Sequence, residues 1–593
     1  MENKILPIDK IKELNISDLE NQANLIRDFI IKNVSKTGGH LSSNLGVVEL
    51  TLAIHYVFNS PFDKIIFDVG HQDYTHKILT NRKDNFDTLR QNDGLSGFPS
   101  YSESEHDVWE SGHSSTSIAS GIAMAIAKNS GNNDIGEIIT VIGDGAISNG
   151  LALSSLNYLA SNKKNKVIII LNDNDMSISK NVGGMAQRFS KIRITKSYNL
   201  FRKFTFKFVR ESLKALVYKN NIFTSLGFKY LGPIDGHDLK SLIKYLNYAK
   251  NYDESVVLHV KTIKGKGYKY SETDSLGQWH GVNPFDIETG EITNTKPYNE
   301  IKWNDIVSNS LINLLNEKDN IIIISPGMIN GTGLDDIKLK YPDKVIDVGI
   351  NEELAIVMGA SLSRNGIVPI IPIYSTFLQR SYDELNNDIN RSNNHIILLI
   401  DHSGVVSHDG STHQGIYDVS FLSHLNNFII TAPKNQNEFD QLLKLAYRTN
   451  NPFAIRYNKG NTIISKENIK IDFGKWVIEL PLKEINVLTY GVSVNTFKDE
   501  ITSSKKNIGL INAIFIKPFD EELLNKLNNS KLIIYEEVVS GGSLYSLISD
   551  YVIKNNLKID VIHYAINDII KEGTKEEILD KLGLNIQKIV TEI

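Results

Sequence analysis

Short runs of β-branched and other apolar residues recur along the chain, separated by longer amphipathic stretches. They fall at residues 65–69, 138–142, 167–171, 321–324, 368–373, 396–400, 428–430 and 532–535. Runs this short and this continuously apolar predict strands covered on both faces, as in parallel sheets. Helical periodicity marks segments between them, for example 114–128 and 435–447. Strand and helix in alternation predict an α/β fold of mostly parallel sheets flanked by helices, with ligands at the carboxyl ends of the strands. Residues 283–298 carry Pro, Gly, Asn and Thr, and residues 457–472 are polar without periodicity. Both read as linkers and divide the chain into three domains, 1–297, 298–466 and 467–593.

The 593 residues are 41 % apolar and 22 % charged, ordinary for a globular protein that buries several cores. The net charge of −5 argues against a nucleic-acid footprint. A basic stretch at 202–207 is interrupted by aromatics and reads as a surface helix or loop. The chain has no cysteine, which excludes disulfides, thiolate metal sites and cysteine nucleophiles. Its longest apolar runs fall far below the ~18 residues of a membrane helix, and its first ten residues hold no signal-peptide core. A cytoplasmic protein with no membrane partner is expected.

The sharpest local signal starts at residue 138. The apolar run 138–142 enters Gly143-Asp144-Gly145-Ala146, and the run 167–171 enters Asn172-Asp173-Asn174. A helix predicted over 149–161 joins them into a βαβ unit, so both polar clusters lie at the carboxyl ends of adjacent strands. A carboxylate and an amide carbonyl placed there suit one hard divalent cation such as Mg²⁺. The glycines let a diphosphate approach backbone N–H groups. Alone, Gly-Asp-Gly marks only a tight turn. Paired with Asn174, the pattern resembles the signature of thiamine-diphosphate enzymes. That resemblance assigns Asp144 and Asn174 to the metal, completed by a backbone carbonyl near Met176, and Gly145 and Ala146 to the cofactor.

Five histidines sit in glycine-rich or polar contexts: His40, His71, His113, His280 and His413. None has HExxH spacing, so zinc is poorly supported. Imidazoles at strand-end loops suit proton transfer near neutral pH and hydrogen bonds to phosphate or carbonyl oxygens. Around them stand GGHLSSNLGVVELT (38–51), DVGHQDYTHKILT (68–80), GHSSTS (112–117), VIGDGAIS (141–148), LNDNDMSIS (171–179), LGPIDGHD (231–238), YSTFLQRSY (374–382) and DGSTHQG (409–415). In these stretches the chain resembles the 1-deoxy-D-xylulose-5-phosphate synthase family of the transketolase superfamily. The resemblance is nearly collinear from about residue 25 to the end, with a shortened stretch between 187 and 220.

The resemblance implies a transketolase-like fold, a homodimer, thiamine diphosphate with Mg²⁺, and condensation of pyruvate with glyceraldehyde 3-phosphate with loss of CO₂. The product would serve isoprenoid, thiamine and pyridoxal synthesis. In that family a glutamate hydrogen-bonds the aminopyrimidine and must keep a proton in a dry site, which raises its pKa. Glu352 matches it, and Phe377 matches the ring that stacks on the pyrimidine. His40, His280 and His413 match residues beside the reacting carbons; His71, His113, Ser114 and Ser115 match cofactor-side positions, and Tyr268 a position between cofactor and substrate. Tyr374 and Asp409 match residues of the acceptor channel. Arg380 and Arg456 match its arginines, where a guanidinium suits a phosphate.

The chain also departs from the family. Asn351-Glu352-Glu353-Leu354 stands where Ala-Glu-Gln-His is usual, Asp401-His402-Ser403-Gly404 where Asp-Arg-Ala-Gly is usual, and Arg456-Tyr457-Asn458-Lys459-Gly460 where Arg-Tyr-Pro-Arg-Gly is usual. Losing an arginine contact to phosphate costs about 1.5–3 kcal/mol. These changes bear on the acceptor more than on the cofactor. They keep open a related enzyme that decarboxylates a 2-oxo acid and uses another aldehyde. A transketolase, a dehydrogenase component and a binding protein without activity are further alternatives.

Overall fold

The computed structural model describes residues 4–174, 183–184, 221–274, 276–293, 299–465 and 469–593. The basic stretch at 202–207 and Met176 lie outside the described residues. The chain divides into two compact units, Met1–Asn294 and Thr295–Ile593.

The first unit holds a five-stranded sheet of β1 (Lys64–Phe67), β2 (Ile138–Gly143), β3 (Ile168–Asp173), β4 (Lys229–Asp235) and β5 (Val256–Lys261), in the order β1-β2-β3-β5-β4. Every pairing in it is parallel. The apolar runs are continuous because alternate residues feed two different cores. Ile139, Val141, Ile168 and Ile170 point to one face, which is covered by the helices Ile16–Thr37, Val48–Val57 and Leu239–Lys250. Ile138, Ile142, Ile169 and Leu171 point to the other, under Ser117–Asn129 and Gly150–Ser161. Truncating any of these fully buried side chains to alanine should cost about 2–5 kcal/mol.

Among its described residues the second unit carries three sheets. The largest joins β7 (Ile321–Ser325), β8 (Val345–Asp347), β9 (Val368–Tyr374), β10 (Ile397–Asp401), β11 (Ile429–Thr431), β12 (Phe453–Arg456) and β17 (Phe515–Lys517) in the order β17-β11-β12-β10-β9-β7-β8. Only its β17 edge is antiparallel. A five-stranded sheet of β14 (Val477–Leu480), β15 (Ile485–Thr489), β16 (Ile508–Asn512), β18 (Lys531–Val539) and β19 (Asp560–Ile566) runs β14-β16-β15-β18-β19, again with one antiparallel edge, β14. The third is the antiparallel pair β6 (Glu300–Lys302) and β13 (Asn461–Ile463).

That pair corrects one linker expectation. Residues 457–472 include a strand, and Tyr457 and Thr462 are buried. The segment looks polar because Thr462 spends its hydroxyl on the Lys434 carbonyl at 2.5 Å while its backbone pairs with β6. Residues 283–298 are likewise packed in their first half. Phe285 is buried against Trp279, with ring centroids 4.9 Å apart, and bridges to Ile292. The helix predicted from 114 begins at Ser117, because Ser115 sits at φ 76, outside the helical region. Among the described residues no helix is long and apolar enough to cross a membrane.

Candidate active site

In the first unit the strand ends bring five loops together. After β1, Asp68 accepts the Ser115 N–H at 2.7 Å and the Ser117 N–H at 3.1 Å, which shapes the loop that carries His113, Ser114 and Ser115. The Ser115 hydroxyl donates to the Ala146 carbonyl at 2.8 Å and ties that loop to Gly143-Asp144-Gly145-Ala146. The Asp144 N–H donates to the Asn172 carbonyl at 3.1 Å, so the ends of β2 and β3 are fastened side by side. Asn172 is itself held by Gln72 at 3.2 Å and Thr262 at 2.7 Å. A Cβ at Gly143 would meet open space, which leaves room against the backbone there.

Three of the predicted histidines form one cluster. The rings of His40 and His71 lie 5.7 Å apart, those of His40 and His280 5.7 Å, and those of His71 and His280 5.2 Å. Two glycines make this possible. Gly39 has φ 144, and a Cβ there would stand 2.7 Å from the Tyr74 hydroxyl; Gly70 has φ 86, and a Cβ there would meet Pro99 at 2.4 Å. Phe98, from the same Phe-Pro turn, packs its ring 5.4 Å from His40. His71 is kept neutral: burial, reinforced by the Lys264 charge, drives its pKa down to about 3. Burial also lowers Lys264, to about 8, against the pull of Asp144 and Asp274. Tyr268 lies beside this cluster in a buried aromatic group with Trp279, at 5.2 Å, and its hydroxyl donates to the Ile287 carbonyl at 3.0 Å.

The second constellation sits at the strand ends of the largest sheet in the second unit. Glu352 opens the helix Glu352–Arg364 and is 2 % exposed. Its Oε2 lies 3.4 Å from Arg380 Nε and makes no hydrogen bond among the described residues. Burial raises the Glu352 pKa to about 7, against Arg380 and with the help of Glu353. At the end of β9, Tyr374 and Phe377 stack nearly parallel, 5.7 Å apart. Phe377 meets the His413 ring edge-on at 5.6 Å, and His413 Nδ1 is paired with the Thr412 hydroxyl at 2.8 Å. His402, the residue that departs from the family pattern, stacks on Tyr374 at 3.8 Å and is anchored by Asp401 at 2.9 Å.

Asp409 pairs with Lys459 at 2.5 Å, so the third departure, at 456–460, gives a predicted residue a cation partner. The Arg456 fork is taken up by a buried partner: Nε and Nη2 donate to the two Asp418 oxygens at 2.9 and 3.2 Å.

Sequence reasoning missed Asn44, Asp68, Phe98, Lys264 and Lys459 as parts of these clusters. Asn44 and Asp68 lie in quoted glycine-rich segments, whereas Phe98 and Lys264 lie outside them; Lys459 stands in the motif that starts at Arg456, but its pairing with Asp409 spans fifty positions and leaves no local signal.

The family profile for 1-deoxy-D-xylulose-5-phosphate synthase matches residues 3–262. The transketolase pyrimidine-binding domain profile matches 299–463, and the transketolase C-terminal domain profile 474–589. A 1-deoxy-D-xylulose-5-phosphate synthase of Macrococcus caseolyticus (strain JCSC5402) is 40 % identical over 613 residues, covering 98 % of this chain and 97 % of the relative. One of Listeria welshimeri is 41 % identical over 606 residues, covering 97 % and 95 %. A solved transketolase from Campylobacter jejuni aligns over 98 % of this chain and 99 % of its own at 18 % identity, with a TM-score of 0.44, too distant to argue from. With two relatives near 40 % identity over almost their whole length, the chain belongs to the 1-deoxy-D-xylulose-5-phosphate synthase family.

Proposed function

We propose that this protein condenses pyruvate with D-glyceraldehyde 3-phosphate, releasing CO₂ and forming 1-deoxy-D-xylulose 5-phosphate, with thiamine diphosphate and Mg²⁺, as a cytoplasmic homodimer. The observation that carries the reading is Glu352, a buried carboxyl in the first turn of the helix Glu352–Arg364, whose proton is retained to about pH 7. A neutral carboxylic acid in a dry site can donate a hydrogen bond to a ring nitrogen, which a carboxylate cannot do.

The residues present fit the cofactor. Glu352 Oε2 and His71 Nδ1 are buried atoms without hydrogen bonds among the described residues. Asp144 and Asn174 offer the hard oxygens that Mg²⁺ takes, and a backbone carbonyl near Met176, outside the described residues, would complete the set. When bound, thiamine diphosphate supplies the carbanion chemistry that no side chain provides. Ser114, Ser115, Gly145 and Ala146, with His71 and His113, would hold the diphosphate side, and Lys264 adds positive charge there. Phe377 would flank the pyrimidine, with Glu352 keeping a proton on it.

The remaining groups divide between proton transfer and substrate holding. His40, His280 and His413 are imidazoles suited to orienting reacting oxygens and moving protons near neutral pH. Tyr268 closes the cluster around His280. Tyr374, Arg380 and Asp409 line the acceptor side, and Arg456 lends charge while Asp418 holds its fork. The three-domain division at 1–297, 298–466 and 467–593 belongs to this reading, as does the homodimer. The helix that begins with Glu352 turns Leu354 (46 % exposed) and Val357 (43 %) outward, three positions apart on one face, and a second copy would cover them.

The test is CO₂ release from pyruvate, with the cofactor and Mg²⁺, in the presence and absence of glyceraldehyde 3-phosphate. Acceptor-dependent release with deoxyxylulose phosphate as product supports the proposal. Release indifferent to the phosphorylated aldehyde would reassign the acceptor and leave the cofactor assignment standing.

A further inference from the structure

We propose that Asn44 is a positioning residue that sets the spacing of the His40 and His71 imidazoles; the inference rests on the roles given to those histidines above. Asn44 is fully buried. Its amide nitrogen donates to the His40 carbonyl at 2.7 Å and to the His71 carbonyl at 2.9 Å. Its amide oxygen accepts the Tyr74 N–H at 2.9 Å. One short side chain therefore joins the backbones of His40 and His71, reaching the second from 27 positions away in sequence.

The orientation of this amide is determined by its partners. Flipped, it would set an oxygen against two carbonyl oxygens and an N–H₂ against an N–H, so all three hydrogen bonds would be lost. An aspartate of the same shape would fail for the same reason, since it offers no donor to the two carbonyls. Tyr74 closes the loop of interactions: its hydroxyl accepts the His40 N–H at 3.2 Å. Each histidine is thus tied by its own main chain to Asn44, while its ring remains in the cluster with His280. Geometry of this kind matters for rate, because a misplacement of about 1 Å can cost 10²-fold in turnover.

The experiment is a mutant cycle on the full-length holoenzyme, read as kcat/KM for pyruvate, with thiamine-diphosphate affinity from tryptophan fluorescence and the melting midpoint measured alongside. Asn44→Ala should lower kcat/KM about 10–100-fold, and Asn44→Asp at least as much. In a His40→Ala, His71→Ala background, Asn44→Ala should add less than about twofold, because it acts through those rings. If Asn44→Ala does not fold, Asn44→Ser and Tyr74→Phe run the same cycle. The proposal is overturned if Asn44→Ala stays within twofold of the parent, or if its loss persists undiminished in the double-alanine background. If His40→Ala and His71→Ala leave both activity and cofactor affinity unchanged, the site assignment falls and this inference with it.

Discussion

Arg380 Nε stands 3.4 Å from Glu352 Oε2, yet the Glu352 carboxyl keeps its proton to about pH 7. A guanidinium at that distance normally draws a carboxyl below its ordinary value. Here the cost of charging a buried acid exceeds the attraction, and Glu353 adds to it. Glu352→Gln should bind thiamine diphosphate with parent affinity and lose about 10²–10⁴-fold in turnover. The free parent enzyme should lose kcat/KM as pH rises through about 7, and the Gln variant should lack that limb. An unchanged pH profile in Glu352→Gln would assign the limb to another group.

Asp144 and Asn172 are joined by the hydrogen bond that fastens β2 to β3. Asp144→Ala should abolish Mg²⁺-dependent retention of thiamine diphosphate, a loss larger than the ~10–100-fold typical of groups behind a metal ligand. Titration by tryptophan fluorescence with and without Mg²⁺ reads it. Retention equal to the parent's would place the metal elsewhere.

Asp73 lies two positions after His71, fully buried, with neither carboxylate oxygen hydrogen-bonded among the described residues and Lys77 Nζ 3.8 Å away. Burial, resisted by Lys77, raises its pKa from 3.8 to about 8. The folded state therefore binds this proton more tightly than the unfolded state does. Its contribution is fully present below about pH 4 and is lost as pH rises towards 8. Asp73→Asn, which cannot ionise, should gain on the parent between pH 5 and pH 8, by at most about 1.4 kcal/mol per unit. Urea midpoints at the two pH values decide it; a constant difference would show that Asp73 is ionised throughout.

Leu354 and Val357 face solvent from the helix that begins with Glu352. Replacing both with glutamate should shift the mass seen by light scattering from dimer to monomer, with little change in the melting midpoint at low protein concentration. A parent protein that is already monomeric would refute the dimer.

Much of this protein was written locally. The apolar runs that became β2, β3, β9 and β10 could be read directly, because each strand is buried on both faces and needs no polar alternation. Gly143-Asp144-Gly145 and Asn172-Asp173-Asn174 were legible for a related reason: the turn that follows a parallel strand demands particular residues at particular offsets. The chain also marked the candidates for chemistry, from Glu352 to the five histidines, through the residue types and the motifs around them. Tertiary structure decided which of them meet. Burial sets Glu352 near pH 7, and burial is a property of the folded surroundings. Asp418 claims the Arg456 fork from 38 positions away, Lys459 reaches Asp409 across 50, and β13 pairs with β6 over a longer gap still. Hydrogen bonds and ion pairs of that range carry no periodicity and no neighbouring mark in sequence, because only the closure of the intervening chain brings their partners within 3 Å.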